Sequence, residues 1–86
     1  MQERETTVKN KLGIHARPSA LLVQASSKFV SEITLVKEGL EVNGKSIMGV
    51  MMLAAEVGAK ILVRVDGEDE VEAMKKVVDM VEGIFD

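Results

Sequence analysis

The chain has 86 residues, no cysteine and a formal net charge of −3 at pH 7. This length fits one modest hydrophobic core, so we expect a single domain over residues 1–86. The lack of cysteine excludes a disulfide-stapled fold, a thiolate metal site and a cysteine nucleophile. The acidic balance and the low aromatic content, two phenylalanines, disfavour nucleic-acid binding. The N-terminus is polar and no apolar run approaches bilayer length, so we expect a cytoplasmic protein without membrane insertion.

The first half of the chain predicts a strand, a helix and a hairpin. Thr6-Thr7-Val8 favours a short edge strand around residues 3–9. An amphipathic helix beginning near Ala16 is indicated by apolar residues at helical spacing, with proline tolerated in the first turn. This stripe consists of Pro18, Leu21, Leu22, Ala25 and Phe29. Period-two alternation over residues 32–36 and 40–42, on either side of Glu38-Gly39, predicts an antiparallel hairpin.

The second half predicts a short helix, a fourth strand and a last helix. Ser46 is a favoured helix cap, the apolar run that follows it reaches Ala55, and Gly58 can end the helix. Residues 61–65 alternate as a strand, and acidic residues 68–70 suit the positive end of a final helix. Its inward stripe is predicted as Val71, Met74, Val77 or Val78, Val81 and Ile84. The order βαββαβα predicts an α+β fold, a two-layer open-faced sandwich with three helices on one side of a four-stranded antiparallel sheet.

His15 is the only histidine and therefore the main candidate for chemistry near neutral pH. A lone histidine is more often an ordinary surface residue than a reactive one, but its neighbours favour a reactive role here. It lies directly before the predicted helix, where free amides and the positive end of the helix dipole can receive a phosphate. The same dipole disfavours imidazolium and leaves a neutral, nucleophilic ring. Arg17, in the first turn, can donate to a phosphoryl oxygen.

Two segments together closely resemble the histidine-containing phosphocarrier (HPr) family of the phosphoenolpyruvate-dependent sugar phosphotransferase system. They are Leu12-Gly13-Ile14-His15-Ala16-Arg17-Pro18-Ser19-Ala20 and Lys45-Ser46-Ile47-Met48-Gly49-Val50-Met51. The resemblance covers the whole chain. It implies that Nδ1 of His15 accepts a phosphoryl group from phospho-Enzyme I and passes it to IIA domains of sugar permeases. It also implies that Arg17 and helix-start amides such as that of Ala16 hold the phosphate, and that no cofactor or metal is needed.

Ser46 has two interpretations. By itself it is a helix cap, which requires no regulatory role. Its surroundings resemble the site that HPr kinase/phosphorylase modifies in the Gram-positive type of the family. The resemblance implies that phosphoserine at Ser46 reduces transfer from Enzyme I and promotes binding to the catabolite control repressor. A phosphate at a helix start is stabilised locally, so we expect it to act through surface charge rather than by refolding.

The second helix carries apolar residues on more than one side. One stripe contains Ile47, Val50, Leu53 and Ala54, and the other contains Met48, Met51, Met52 and Ala55. A short helix on a sheet can bury only one side fully. Both stripes packing into the core is the alternative, but flexible methionines suit a surface that meets several partners. We therefore expect Ile47, Met48, Met51 and Met52 to contact partner proteins.

The residues bear on three kinds of function. The leading one is a monomeric phosphocarrier that is more a protein substrate than an enzyme. A carrier in a nitrogen-related phosphotransfer branch is a variant of this function that stays open, although the surroundings of Ser46 argue against it. The second is a purely regulatory module that acts through phospho-Ser46 and a transcription factor, as in the family's catabolite-repression paralogue; that paralogue lacks the active histidine, which this chain retains at His15. The third, an RNA-binding α/β domain, needs sheet aromatics and a basic balance, and neither is present.

Overall fold

The computed structural model describes residues 1–10, 13, 14 and 16–84. The four strands are β1 (Gln2–Thr7), β2 (Glu32–Lys37), β3 (Leu40–Asn43) and β4 (Lys60–Asp66). The three α-helices are α1 (Ala16–Ser26), α2 (Ile47–Met52) and α3 (Glu70–Asp79). A wider helical turn, Met80–Ile84, continues α3 and includes non-helical backbone at Gly83. The predicted order of elements is confirmed.

The strands form one antiparallel sheet in the order β1-β4-β2-β3. Val63 of β4 pairs with Arg4 of β1 on one side and with Leu35 of β2 on the other. The predicted hairpin joins β2 to β3 through Glu38 and Gly39, whose φ angles are 50° and 84°. Two positive φ values match the twist of a two-residue hairpin turn, which explains the glycine.

Alternation along the strands separates a buried face from an open face. Ile61, Val63 and Val65 of β4 are fully buried, whereas Arg64 is half-buried and pairs with Glu3 of β1. The helices cover the buried face. The core residues of the strands and helices include Leu22, Ile33, Leu35, Val50, Ile61, Val63, Val65, Ala73, Val77 and Val81. The predicted two-layer α+β sandwich is therefore confirmed.

Two predicted boundaries were wrong. The strand β1 ends at Thr7 rather than at residue 9, although Val8 still donates its amide to Ala59 at 2.9 Å. Helix α2 ends at Met52, well before the predicted end at Gly58, because Ala54 has φ 48° and left-handed backbone cannot continue a right-handed helix.

Two predicted inward positions were also wrong. Leu21 is 36% exposed and Val71 is 65% exposed. The buried side of α1 centres on Leu22 and Ser26, which places Leu21 on its flank. Val71 lies in the first turn of α3, at the margin of the stripe formed by Met74 and its buried neighbours. The predicted inward position of Ile84 concerns a side chain outside the described residues.

The longest α-helix in the described part of the chain is α1, with 11 residues. Within the residues that the structure describes, no helix combines the length and apolar character that a bilayer crossing requires.

Candidate functional site

The two residues described before His15 are pressed against the segment that follows α2. Gly13 has φ 73°, and a Cβ built on it would lie 2.5 Å from the carbonyl oxygen of Ala55. Ile14 is buried and donates its amide to that same oxygen at 2.7 Å. Both the positive φ and the close approach require glycine at position 13. The predicted turn role of Gly13 is confirmed.

Asn10 closes the start of this loop, a contribution that the sequence analysis missed. The amide of Gly13 donates to the backbone oxygen of Asn10 at 2.9 Å, and the Asn10 side chain donates back to the Gly13 carbonyl at 2.8 Å. Asn10 is only 4% exposed, so its amide group depends on this partner. A signal did exist in the sequence, because asparagine three residues before glycine is typical of a turn.

Helix α1 begins at Ala16, as predicted, and its first two residues face solvent. Ala16 and Arg17 are exposed, whereas Pro18 and Ser19 are buried. No acidic residue lies in this first turn, so the positive end of the helix dipole and the Arg17 guanidinium are not offset by a carboxylate within residues 16–19. This end of α1 is electrostatically suited to an anion. Leu12 and the predicted nucleophile, His15, lie outside the described residues.

Ser46 is the N-cap of α2, as predicted from its position. Its hydroxyl oxygen accepts the amide of Gly49 at 3.0 Å, and its own carbonyl accepts the amide of Val50 at 2.9 Å. The Ser46 amide donates to Asn43 at 3.0 Å. The side chain is half-buried. Its hydroxyl is therefore fixed at the start of the helix with part of its surface open to solvent.

An apolar surface follows directly on α2. Ile47, Met48, Met51 and Met52, called here the methionine surface, are 45%, 74%, 42% and 63% exposed. The core side of the helix is formed by Val50, with Leu53 and Ala55 buried just after its end. The expectation that the core cannot hold both stripes is confirmed. Three residues differ from their predicted stripe: Ile47 and Ala54, grouped with Val50, are exposed, and Ala55, grouped with the methionines, is buried. Helices α1 and α2 pack against each other, so Arg17 and the methionine surface belong to the same layer.

Neither of two surface depressions involves these helices. One of about 390 Å³ lies along β2 and β3, and one of about 490 Å³ lies near Lys37 and Lys60. In the described part of the chain, no three acidic or histidine side chains converge to hold a metal ion. The start of α1, where Ala16 and Arg17 are exposed, is an open surface that can meet another protein.

Comparison with known proteins identifies the family. The model for the PTS HPr component phosphorylation site matches residues 2–83. The phosphocarrier protein HPr of Xylella fastidiosa (strain Temecula1) is 58% identical over 85 residues, covering 99% of this chain and 96% of that protein. The HPr-like protein Crh of Bacillus subtilis is 43% identical over 82 residues, covering 95% and 96%.

A solved structure agrees in fold as well as sequence. The crystal structure of HPr-C-His from Thermoanaerobacter tengcongensis has a TM-score of 0.90 and 47% identity, covering 94% of this chain and 91% of that chain. Fold, sequence and family model point to one conclusion: this chain belongs to the HPr family of phosphocarrier proteins of the phosphotransferase system.

Proposed function

We propose that this protein carries a phosphoryl group on His15, which it accepts from phospho-Enzyme I and delivers to IIA domains of sugar permeases. The observation that supports this most directly is that the first two residues of α1 face solvent. Ala16 and Arg17 are exposed there and no carboxylate lies in the turn. Backbone amides, the helix dipole and a guanidinium therefore favour a phosphoryl group beside position 15.

Phosphoryl carriage consists of two transfers, and each forms one bond to phosphorus and breaks another. In the first transfer, a ring nitrogen of neutral His15 attacks phosphorus as the bond between phosphorus and the donor breaks. In the second transfer, an acceptor on a IIA domain attacks the same phosphorus as its bond to His15 breaks. The charge on the phosphoryl oxygens is stabilised by Arg17 and the amides at the start of α1. No cofactor or metal enters these steps, and a cytoplasmic location fits a carrier that meets several proteins in turn.

Docking on the partners is assigned to the methionine surface. Its four side chains are exposed on the helical layer that also contains Arg17. Methionine adapts to surfaces of different shape, which suits one carrier that must bind Enzyme I and IIA domains in succession. We propose that the protein performs this exchange as a monomer. A relative from Thermoanaerobacter tengcongensis is described as an HPr dimer, and light scattering of this protein at working concentration tests the proposed state.

The first experiment combines the protein with Enzyme I, magnesium and phosphoenolpyruvate and measures the intact mass. We expect the gain of one acid-labile phosphoryl group, which His15→Ala abolishes and Ser46→Ala retains. Arg17→Ala should slow transfer by about tenfold to a hundredfold, because it removes an interaction with the transferred group. Arg4→Ala is the matched control, since Arg4 is an exposed arginine on β1. Labelling that persists in His15→Ala would refute the assignment.

We further propose regulation through phosphorylation of Ser46 by HPr kinase/phosphorylase. The half-buried hydroxyl of Ser46 lies next to exposed Ile47 and Met48, so a phosphate there adds charge at the edge of the methionine surface. Loss of Enzyme I docking should follow. Kinase and ATP should label the wild type and the control Ser27→Ala, which changes another exposed serine, but not Ser46→Ala. Equal labelling of both variants would contradict the site.

A purely regulatory role is the second candidate, and the relation to Crh favours it. The solved Crh structure is described as the Bacillus subtilis Catabolite Repression HPr. In this alternative, phospho-Ser46 promotes binding to the catabolite control repressor and His15 is not used. The Enzyme I reaction separates the two roles, because only a carrier acquires acid-labile phosphate on His15.

A further inference from the structure

The ammonium group of Lys37, at the end of β2, is held by the segment that follows α2. Its Nζ donates to the carbonyl oxygens of Leu53 at 3.1 Å and Ala54 at 3.3 Å, and the Glu56 carboxylate lies 3.8 Å away. The Lys37 side chain is only 14% exposed. A charge removed from water this far requires close partners. Two hydrogen bonds and an ion pair therefore anchor the Lys37 ammonium to residues 53–56.

The same segment supports the loop that leads to His15. The carbonyl of Ala55 accepts the amide of Ile14 at 2.7 Å, and Gly13 approaches the same oxygen too closely for any side chain. Ala55 lies between Ala54 and Glu56, both of which contact Lys37. A shift of the Ala55 carbonyl would consequently move Ile14, the residue directly before His15.

The backbone at Ala54 needs this support. Its φ of 48° is unfavourable for a residue with a Cβ. The Ala54 carbonyl also lies just beyond the end of α2, where the dipole of the helix is negative and lysine is a favourable donor. The ammonium of Lys37 thus stabilises a strained turn whose position decides where the Ala55 carbonyl points.

We propose that Lys37 is a positioning residue for phosphoryl transfer, acting on His15 through residues 53–56 and the Ile14 amide. The inference rests on the proposed function of His15. Lys37 does not touch the phosphoryl group in this scheme. It keeps Gly13 and Ile14, the described residues that directly precede position 15, packed against residues 53–56.

The test compares Lys37→Met, which keeps an apolar stem and removes the ammonium, with Lys60→Met. Lys60 is a suitable control because it lies on the same sheet and is 70% exposed, and among the described residues its ammonium pairs only with Glu5, at 3.8 Å. Hydrogen exchange of the Ile14 amide should accelerate by about tenfold in Lys37→Met and stay unchanged in Lys60→Met. The amide of Val63 in central β4 controls for global unfolding. Equal Ile14 exchange in both variants overturns the proposal.

Transfer kinetics give the second readout. In Lys37→Met we expect kcat for transfer from Enzyme I to fall by about tenfold with KM unchanged. Lys37→Arg, which keeps charge and donors, should restore both readouts. A change confined to KM would mean that Lys37 is a docking charge and would refute the positioning role. If Lys37→Met does not fold, Lys37→Gln removes the charge and provides the same comparison.

Failure of the proposed function is distinguishable from failure of this inference. A wild-type protein that acquires no phosphoryl group would disprove carriage on His15, while Ile14 exchange would still decide whether Lys37 holds the loop. A wild-type protein that is phosphorylated, together with a Lys37→Met variant of unchanged kcat, would disprove only the role of Lys37.

Discussion

Substituting alanine at Gly13 tests how closely the loop before α1 packs against the segment that follows α2. Gly13 has φ 73°, and Gly39 has φ 84° in the β2–β3 turn. Both substitutions impose left-handed backbone on alanine. They differ in surroundings, because a Cβ at Gly39 would have no atom within 4 Å, whereas one at Gly13 would lie 2.5 Å from the carbonyl oxygen of Ala55. The pair of variants therefore separates backbone strain from steric conflict.

The expected magnitudes follow from this geometry. At Gly39, alanine adds only the cost of left-handed backbone, about 1 kcal/mol. At Gly13 the conflict is with backbone, which has no rotamer to change, so the loop must move. The 2.7 Å hydrogen bond from Ile14 to Ala55 is then lost, and this loss with the local repacking adds about 2 kcal/mol. We expect Gly13→Ala to lower the free energy of unfolding by about 3 kcal/mol in total.

Urea unfolding of the two variants and the wild type measures these differences, and the Enzyme I reaction shows their consequence. Gly39→Ala should transfer phosphate at the wild-type rate, since the turn is remote in sequence from the proposed site and has free space. Gly13→Ala should transfer more slowly even under conditions where it is fully folded. If Gly13→Ala were no less stable than Gly39→Ala, the close contact with Ala55 would not constrain the loop and the reasoning would be wrong.

Three further predictions concern buried serines, acid stability and docking. Ser26 and Ser31 are both almost fully buried, but the Ser26 hydroxyl has no partner among the described residues, whereas that of Ser31 donates to Asp69. Thermal unfolding should show Ser26→Ala stabilised by about 0.5 kcal/mol and Ser31→Ala destabilised. The Ser31 hydroxyl, with backbone amides of residues 30 and 31, holds the pKa of Asp69 below its usual range. The pKa of Asp69 is therefore lower in the folded state than in the unfolded state. The ionised Asp69 carboxylate stabilises the fold above about pH 4, and this contribution is lost as the pH falls through the lowered pKa. Urea unfolding at a series of pH values around and below 4 should therefore show that the free energy of unfolding falls more steeply with acid in the wild type than in Asp69→Asn. An equal fall in both proteins would contradict this linkage between the Asp69 pKa and stability. Met48→Ala should raise KM for Enzyme I several-fold without changing kcat, while Val71→Ala, which truncates a similarly exposed residue on α3, should leave KM unchanged.

The features predicted correctly from sequence are those whose cause lies within a few residues. Helix α1 begins at Ala16 because proline at position 18 suits the first turn. Ser46 caps α2 through a bond to Gly49, three residues away. The turn at Glu38 and Gly39 is fixed by the conformational freedom of glycine between two alternating strands. Local chemistry was therefore sufficient for the order of elements and for the start of each helix.

The features predicted wrongly depend on contacts between distant parts of the chain. Alanine normally favours a helix, so the left-handed conformation of Ala54 that ends α2 is not apparent in the sequence. It coincides with a hydrogen bond to the Ala54 carbonyl from Lys37, seventeen residues earlier. Val71 fits a helical stripe by spacing, but it lies at the first turn of α3, where the core ends. Spacing identifies a face of a helix and does not show how far the neighbouring layer extends.

Strand alternation nevertheless contained a usable signal for Lys37. Ile33 and Leu35 are buried on the helical side of β2, and a period of two places Lys37 on that same side. A lysine at an inward position requires an acceptor, and the carbonyls left free at the end of a short helix are natural acceptors. The sequence could therefore indicate that the lysine has a buried partner. Only the packing of α2 against the sheet identifies that partner as the support of the Ile14 amide, and this is why a residue twenty-two positions beyond His15 becomes part of the proposed site.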